Sequence, residues 1–177
     1  MSETAAKHKA EAPRCLNLAV VVCSSSRFKE FSETGRFNDP SGDVIAQVLK
    51  NNGHRVTSRR ICPDDRSEIQ RVVLRALKSR KTDAIITCGG TGIAPRDVTI
   101  EAVRPLLDKE IPGFGEIFRA LSYRKIGSAS VLTRAIAGVT RGKAIFCLPG
   151  SPQSVTLALE ELILPEVGHI LKHARGK

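Results

Sequence analysis

The chain has 177 residues, 41% of them hydrophobic and 26% charged, a size and balance that suit one globular domain and exclude a mostly disordered or fibrous chain. No apolar run approaches the roughly 18 residues of a membrane span and the first residues lack the hydrophobic block of a signal peptide, so a cytoplasmic protein is expected. The formal net charge of +10 favours an anionic partner; with aromatics at 4%, no Trp, and basic residues scattered along the chain, phosphorylated small molecules are expected rather than nucleic acid.

Residues 1–14 are polar and aperiodic and read as a flexible arm. From Leu18, LAVVVC is a β-branched run without polar alternation, as in a strand covered on both faces. SSSRFKEFSETGRFNDP reads as a Ser-rich loop whose Ser24, Ser25 and Ser26 are placed to line a pocket as hydroxyl donors. SGDVIAQVLKNNG predicts a helix with Ser41 as N-cap, Asp43 in the first turn, an apolar face of Ile45, Val48 and Leu49, and Gly53 closing it.

The unit then repeats. HRVTSRRIC predicts a strand, and Asp65 with Glu68 makes a capping-box-like start for a helix faced by Ile69, Val72, Val73, Ala76 and Leu77. DAIITC predicts a third strand. TIEAVRPLL is helical in pattern but holds Pro105, which predicts a short or kinked helix. FGEIFRALSYRKIG places Phe114, Ile117, Phe118 and Leu121 at helical spacing, as core positions. KAIFCLPGSP predicts a fourth strand and a turn, with Ser151 capping a helix that starts at Pro152 and a further segment after Pro165. Strands alternating with helices predict an α/β fold, a three-layer α/β/α sandwich on a mainly parallel sheet, in one domain over residues 15–177.

The five cysteines form no C-x-x-C pair, and four lie in or at the ends of apolar runs, which predicts reduced, buried thiols. His169 and His173 are spaced i, i+4 but have no third ligand near, so no metal site is read there.

Two turns carry the chemistry. Gly89, Gly90, Thr91 and Gly92 follow the DAIITC strand, where bare backbone lets N–H groups close on an anion. Gly150 and Ser151 form a second strand-to-helix turn on the same rim, with a helix N-terminus behind it. Neither a P-loop nor a Rossmann fingerprint is present. Asp97 stands beside the first turn, and a carboxylate near phosphates calls for a cation. Mg²⁺, which takes one or two carboxylates and completes its shell with phosphate oxygens and water, is the expected ion, with Asp64 of ICPDD as a second acid. The competing structural roles are helix caps: Asp97 for the helix near Thr99, and Asp64 or Asp65, the better placed of the two, for the helix after them.

The first-strand serines, DPSGDVI, ICPDD, TCGGTGIAPRDVT, EIPGFGEIFR, the SxxxxxRAxAGV pattern from Ser128 to Val139 and LPGSP together resemble the MoaB/Mog family of molybdenum cofactor biosynthesis proteins. FRALSYRKIGSASVLTRAIAGV is most similar to the MoaB branch. The resemblance covers Leu18 to the C-terminus and implies the molybdopterin-binding fold and a molybdopterin adenylyltransferase: the terminal phosphate of the dithiolene pterin attacks the α-phosphorus of Mg-ATP, and pyrophosphate leaves. It puts the catalytic acids at Asp64 and Asp97 and substrate binding at Gly89, Gly90, Thr91, Gly92, Glu116, Gly150 and Ser151. A homo-oligomer, trimer or hexamer, and a partnership with the molybdenum-insertion enzyme are also implied. Some family members have Ser-Asp-Arg where this chain reads SSSRF, and Arg96 with Asp97 favours activity, because some MoaB-branch proteins lack that pair.

Two other readings compete. A non-catalytic molybdopterin-binding scaffold of cofactor assembly would bind the pterin without consuming ATP. A nucleotide pyrophosphatase like the related domain of the competence-damage family is disfavoured by APRD.

Overall fold

In the computed structural model, which describes residues 15–176, six strands form one sheet in the order β2-β1-β3-β6-β5-β4. They are β1 (Asn17–Cys23), β2 (Arg55–Cys62), β3 (Ala84–Cys88), β4 (Lys109–Glu110), β5 (Ile136–Thr140) and β6 (Lys143–Leu148). β1 runs parallel to β2 and β3, and β3 to β6, whereas β5 and β4 add antiparallel at the far edge. The predicted arm, residues 1–14, lies outside the described residues, as does Lys177. No helix of the described residues is long and apolar enough to cross a membrane.

Period-two alternation decides the layers. Leu18, Val20 and Val22 of β1 face one apolar cluster, which also holds Ile45 and Leu49 of α2 (Pro40–Asn51) and Phe114 and Phe118 of α5 (Pro112–Ile126). Ala19, Val21 and Cys23 face the other, against Ile69, Val73 and Leu77 of α3 (Arg66–Lys78) and Ile100 and Val103 of the short α4 (Thr99–Val103). This is the expected three-layer arrangement.

Local order departs from the sequence reading in several places. The Ser-rich stretch is a helix, α1 (Ser25–Thr34), capped by Ser24 and closed by Gly35 at φ 70°. It buries none of its residues, and its apolar side chains are limited to Phe28 and Phe31. The N-cap of α2 is Asp39, not Ser41; Ser41 Oγ donates instead to the Gly150 carbonyl at 2.7 Å. The antiparallel pair β4–β5 was not predicted. β5 and β6 turn through Arg141 and Gly142 at φ 51° and 71°, the left-handed pair that two-residue hairpins need.

Ile117 is 52% exposed rather than core, while Phe114 and Phe118 are buried as expected. The C-terminal segment is one continuous rod, α6 (Pro152–Ala158), a π turn (Leu159–Ile163) and α7 (Leu164–Ala174). The wide turn falls where Pro165 would crowd the carbonyl four residues back. As predicted, Asp65 caps α3, Ser151 caps α6 with Pro152 in its first turn, and α4 gives way to a 3₁₀ turn (Arg104–Leu106) at Pro105.

Candidate active site

Because β3 and β6 are parallel with Cys88 opposite Leu148, the turns that follow them meet at the carboxyl rim, where open parallel sheets bind ligands. Gly89 N–H donates to the Leu148 carbonyl at 3.0 Å, and a Cβ on Gly150 would come within 3.2 Å of Gly89 Cα. The backbone of the first turn is left-handed at Gly89 and Gly90, φ 101° and 62°. A Cβ on Gly89 would lie 2.4 Å from the Cys23 carbonyl oxygen, so both conformation and space demand glycine there. Thr99 holds the turn from behind, Oγ1 donating to Gly89 O at 2.8 Å and N–H to Gly90 O at 2.9 Å.

The two turns line one cavity of about 380 Å³, together with Asp97 and residues 132–134. Gly90, Thr91, Gly92, Gly150 and Ser151 spend none of their backbone N–H groups on a protein acceptor among the described residues. Unpaired main-chain donors at a cavity wall want an anion or water. The N-terminus of α6 adds its dipole at Ser151.

The two acids occupy different settings. Asp97 lines the cavity; its Oδ2 accepts the Ala94 N–H at 2.9 Å and would lie 2.5 Å from a Cβ on Gly92. It does not cap α4, whose N-cap position, Val98, makes no side-chain cap bond. Asp64 sits outside the cavity wall but beside the same loop, with Oδ1 3.0 Å from where a Cβ on Gly90 would be. Its Oδ2 accepts the Ser25 N–H at 2.8 Å, and Ser25 Oγ accepts the Asp64 N–H at 2.9 Å. Ser25 thus braces Asp64, while Ser24 caps α1 and contacts Ser26 through its hydroxyl at 3.2 Å, and none of the three lines the cavity. Oδ1 of each aspartate accepts no hydrogen bond among the described residues, and one or two free carboxylate oxygens of this kind are what a hard cation such as Mg²⁺ takes from a protein. Glu116, exposed near the start of α5, is not brought to this cavity.

Two arginines that the residue-by-residue reading did not single out organise the rim. Arg134 donates from Nε to Thr91 O at 2.9 Å, from Nη2 to Asp97 O at 3.3 Å, and forms an ion pair with Glu101 at 2.7 Å. Those hydrogen bonds hold the Glu101 carboxyl below its usual range. Arg134 lies within the SxxxxxRAxAGV pattern, the one signal that could have found it. Arg59 reaches the buried Asp39 through Nε at 2.8 Å and Asp43 through Nη1 at 2.6 Å. That fixes the start of α2, from which Ser41 props the second turn.

Residues 19–169 match the family described as "Probable molybdopterin binding domain". The chain is 47% identical over 165 residues to molybdenum cofactor biosynthesis protein B of Bacillus cereus, covering 93% of this chain and 94% of that one. It is 45% identical over 173 residues to the molybdopterin adenylyltransferase of Pyrococcus furiosus, covering 96% and 97%. A crystal structure of molybdenum cofactor biosynthesis protein B superposes with a TM-score of 0.84 at 45% identity, over 94% of this chain and all of that one. With its rim of paired glycine turns and with relatives of this closeness, the chain belongs to the molybdopterin-binding MoaB/Mog family of molybdenum cofactor biosynthesis proteins.

Proposed function

We propose that this protein adenylylates molybdopterin, the terminal phosphate of the pterin attacking the α-phosphorus of ATP with loss of pyrophosphate. The observation that carries the reading is the set of five unspent backbone N–H groups lining one cavity whose wall also holds the Asp97 carboxylate. Nucleotidyl transfer asks a protein mainly to position reactants and neutralise charge, without a covalent nucleophile, and this rim offers those services. The turn with Gly89, Gly90, Thr91 and Gly92 receives phosphate oxygens on bare backbone, and Gly150 with Ser151 receives a second phosphate under the α6 dipole. Asp97, with Asp64 as the second acid, would hold Mg²⁺, which when bound neutralises charge on the phosphate oxygens. Arg134 keeps the Thr91 and Asp97 segments at a fixed separation.

The reaction belongs in the cytoplasm, with the adenylylated product passed to the enzyme that inserts molybdenum. A homo-oligomer is supported by five large apolar side chains left exposed between residues 117 and 132: Ile117, Tyr123, Ile126, Val131 and Leu132. The deciding experiment incubates the protein with molybdopterin, ATP and Mg²⁺ and follows adenylylated pterin and pyrophosphate. Turnover is expected from the parent chain and none from Asp97→Ala with its fold intact by circular dichroism. Pterin binding without ATP consumption by the parent chain would favour the scaffold reading instead, and turnover by Asp97→Ala would remove the metal role.

A further inference from the structure

Charge is unevenly spread over the fold. Residues 55–82, which form β2 and α3 with their flanks, hold nine Lys and Arg against three Asp and Glu, and so supply +6 of the net +10. In space they line a groove of about 520 Å³ that runs along β2 and is separate from the glycine turns. Five of its residues are basic, Arg59, Arg60, Arg71, Arg75 and Lys81, and none is acidic. Arg59 and Arg71 are spent on Asp39, Asp43 and Glu68. Arg60, Arg75 and Lys81 are exposed and have no acidic partner among the described residues.

β2 is also an edge strand, paired only with β1. Half of its backbone N–H and C=O groups therefore face outward, and no backbone hydrogen bond from another element reaches that side among the described residues. A bulge breaks the register near Thr57, but from Ser58 to Cys62 the pairing with β1 is uninterrupted, leaving a regular edge of five residues beside the unpaired cations. The other wall is Phe31 and Phe37, stacked edge to face with centroids 5.6 Å apart.

We infer that this groove docks an extended acidic segment of a partner protein, which adds to β2 as a seventh strand while its carboxylates meet Arg60, Arg75 and Lys81. The strand edge chooses among anions. A peptide backbone presents donors and acceptors in alternation and can satisfy both kinds of outward group. A phosphodiester chain presents acceptors only and leaves the β2 carbonyls unmet. A second copy of this chain offers no acidic strand among the described residues, since Glu110 is the one acid in its six strands.

The inference is independent of the proposed reaction, because none of the three cations lines the glycine cavity. The probe is a fluorescein-labelled peptide of alternating Glu and Val, eight residues long, measured by fluorescence anisotropy with the full chain at low salt. Binding is expected to weaken about tenfold or more in Arg60→Glu/Arg75→Glu, with adenylyl transfer unchanged. Binding is also expected to weaken about tenfold or more when alternate peptide nitrogens are methylated, which preserves charge and removes ladder donors. Amide resonances of Ser58 to Cys62 should shift on titration with the parent peptide. Equal binding of the methylated peptide, no binding of the parent peptide, or tighter binding of a single-stranded oligonucleotide of equal charge at the same residues would each overturn the inference.

Discussion

Arg134 and Asp97 are joined through the main chain and not through their charges: the guanidinium donates to the Asp97 carbonyl oxygen at 3.3 Å, while Glu101 takes the ion pair at 2.7 Å. The Asp97 carboxylate is thereby left facing the cavity. The same guanidinium holds Thr91 O at 2.9 Å, so one planar fork ties three residues at once. Lys cannot do this, having a point charge in place of a fork. Arg134→Lys and Arg134→Ala are both expected to lower kcat about 100-fold through misplacement of the rim. Steady-state kinetics beside a melting curve would check this; a variant with lowered melting temperature but normal kcat would reduce Arg134 to a stability role.

Gly89 and Gly92 should fail in different ways. At Gly92 a methyl group meets the Asp97 Oδ2 at 2.5 Å, with no positive φ, so Gly92→Ala displaces the carboxylate and leaves the fold alone. Its activity is expected to fall about 100-fold with little change in melting temperature. At Gly89, φ is +101° and the obstacle is the Cys23 carbonyl. Gly89→Ala is therefore expected to cost about 1–3 kcal/mol of stability, measured by urea unfolding.

Acid should loosen the rim through Glu101. Its folded pKa lies below the ordinary carboxylate value, chiefly because Arg134 hydrogen-bonds the charged form. A depressed carboxylate contributes stability that is present above its unfolded pKa and is lost as pH falls through the folded value. Glu101→Gln should thus lower stability at neutral pH and flatten the decline below about pH 4. Denaturant midpoints from pH 3 to 7 test this; parallel curves for parent and variant would contradict it.

Thiol chemistry should distinguish one cysteine from the other four. Cys15 is exposed, while Cys23, Cys62, Cys88 and Cys147 are buried. Burial pushes Cys88 and Cys147 up to about 12, and Cys23 is raised by its hydrogen bond with Cys62 and then by burial. The thiolate is the reactive form, so Ellman's reagent at pH 8 should titrate one thiol in the native protein. All five should react in guanidinium.

Much of the architecture was legible because its signals are local. The apolar runs of β1, β3 and β6, the Asp65 and Ser151 caps, and the glycines after β3 and β6 each depend on residues close in sequence. α1 escaped notice because two phenylalanines, Phe28 and Phe31, among eight other residues without an apolar side chain are too few to mark a helical period. β4 and β5 escaped because a two-residue strand has no period either, and its partner includes Gly138, where any side chain would strike Leu107 and the Lys109 carbonyl.

The chain alone determined the three-layer arrangement and the bare backbone at both turns, since each rests on residue type or on spacing within one element. Which groups meet was decided only by tertiary structure. Ser41 turned from the expected cap into a prop for Gly150, 109 positions away, and Arg134 became the brace of Thr91, 43 positions away. Glu116 was left outside the cavity. Parallel strands bring distant loops to one rim, and contacts made across such crossovers leave no periodic trace in the sequence.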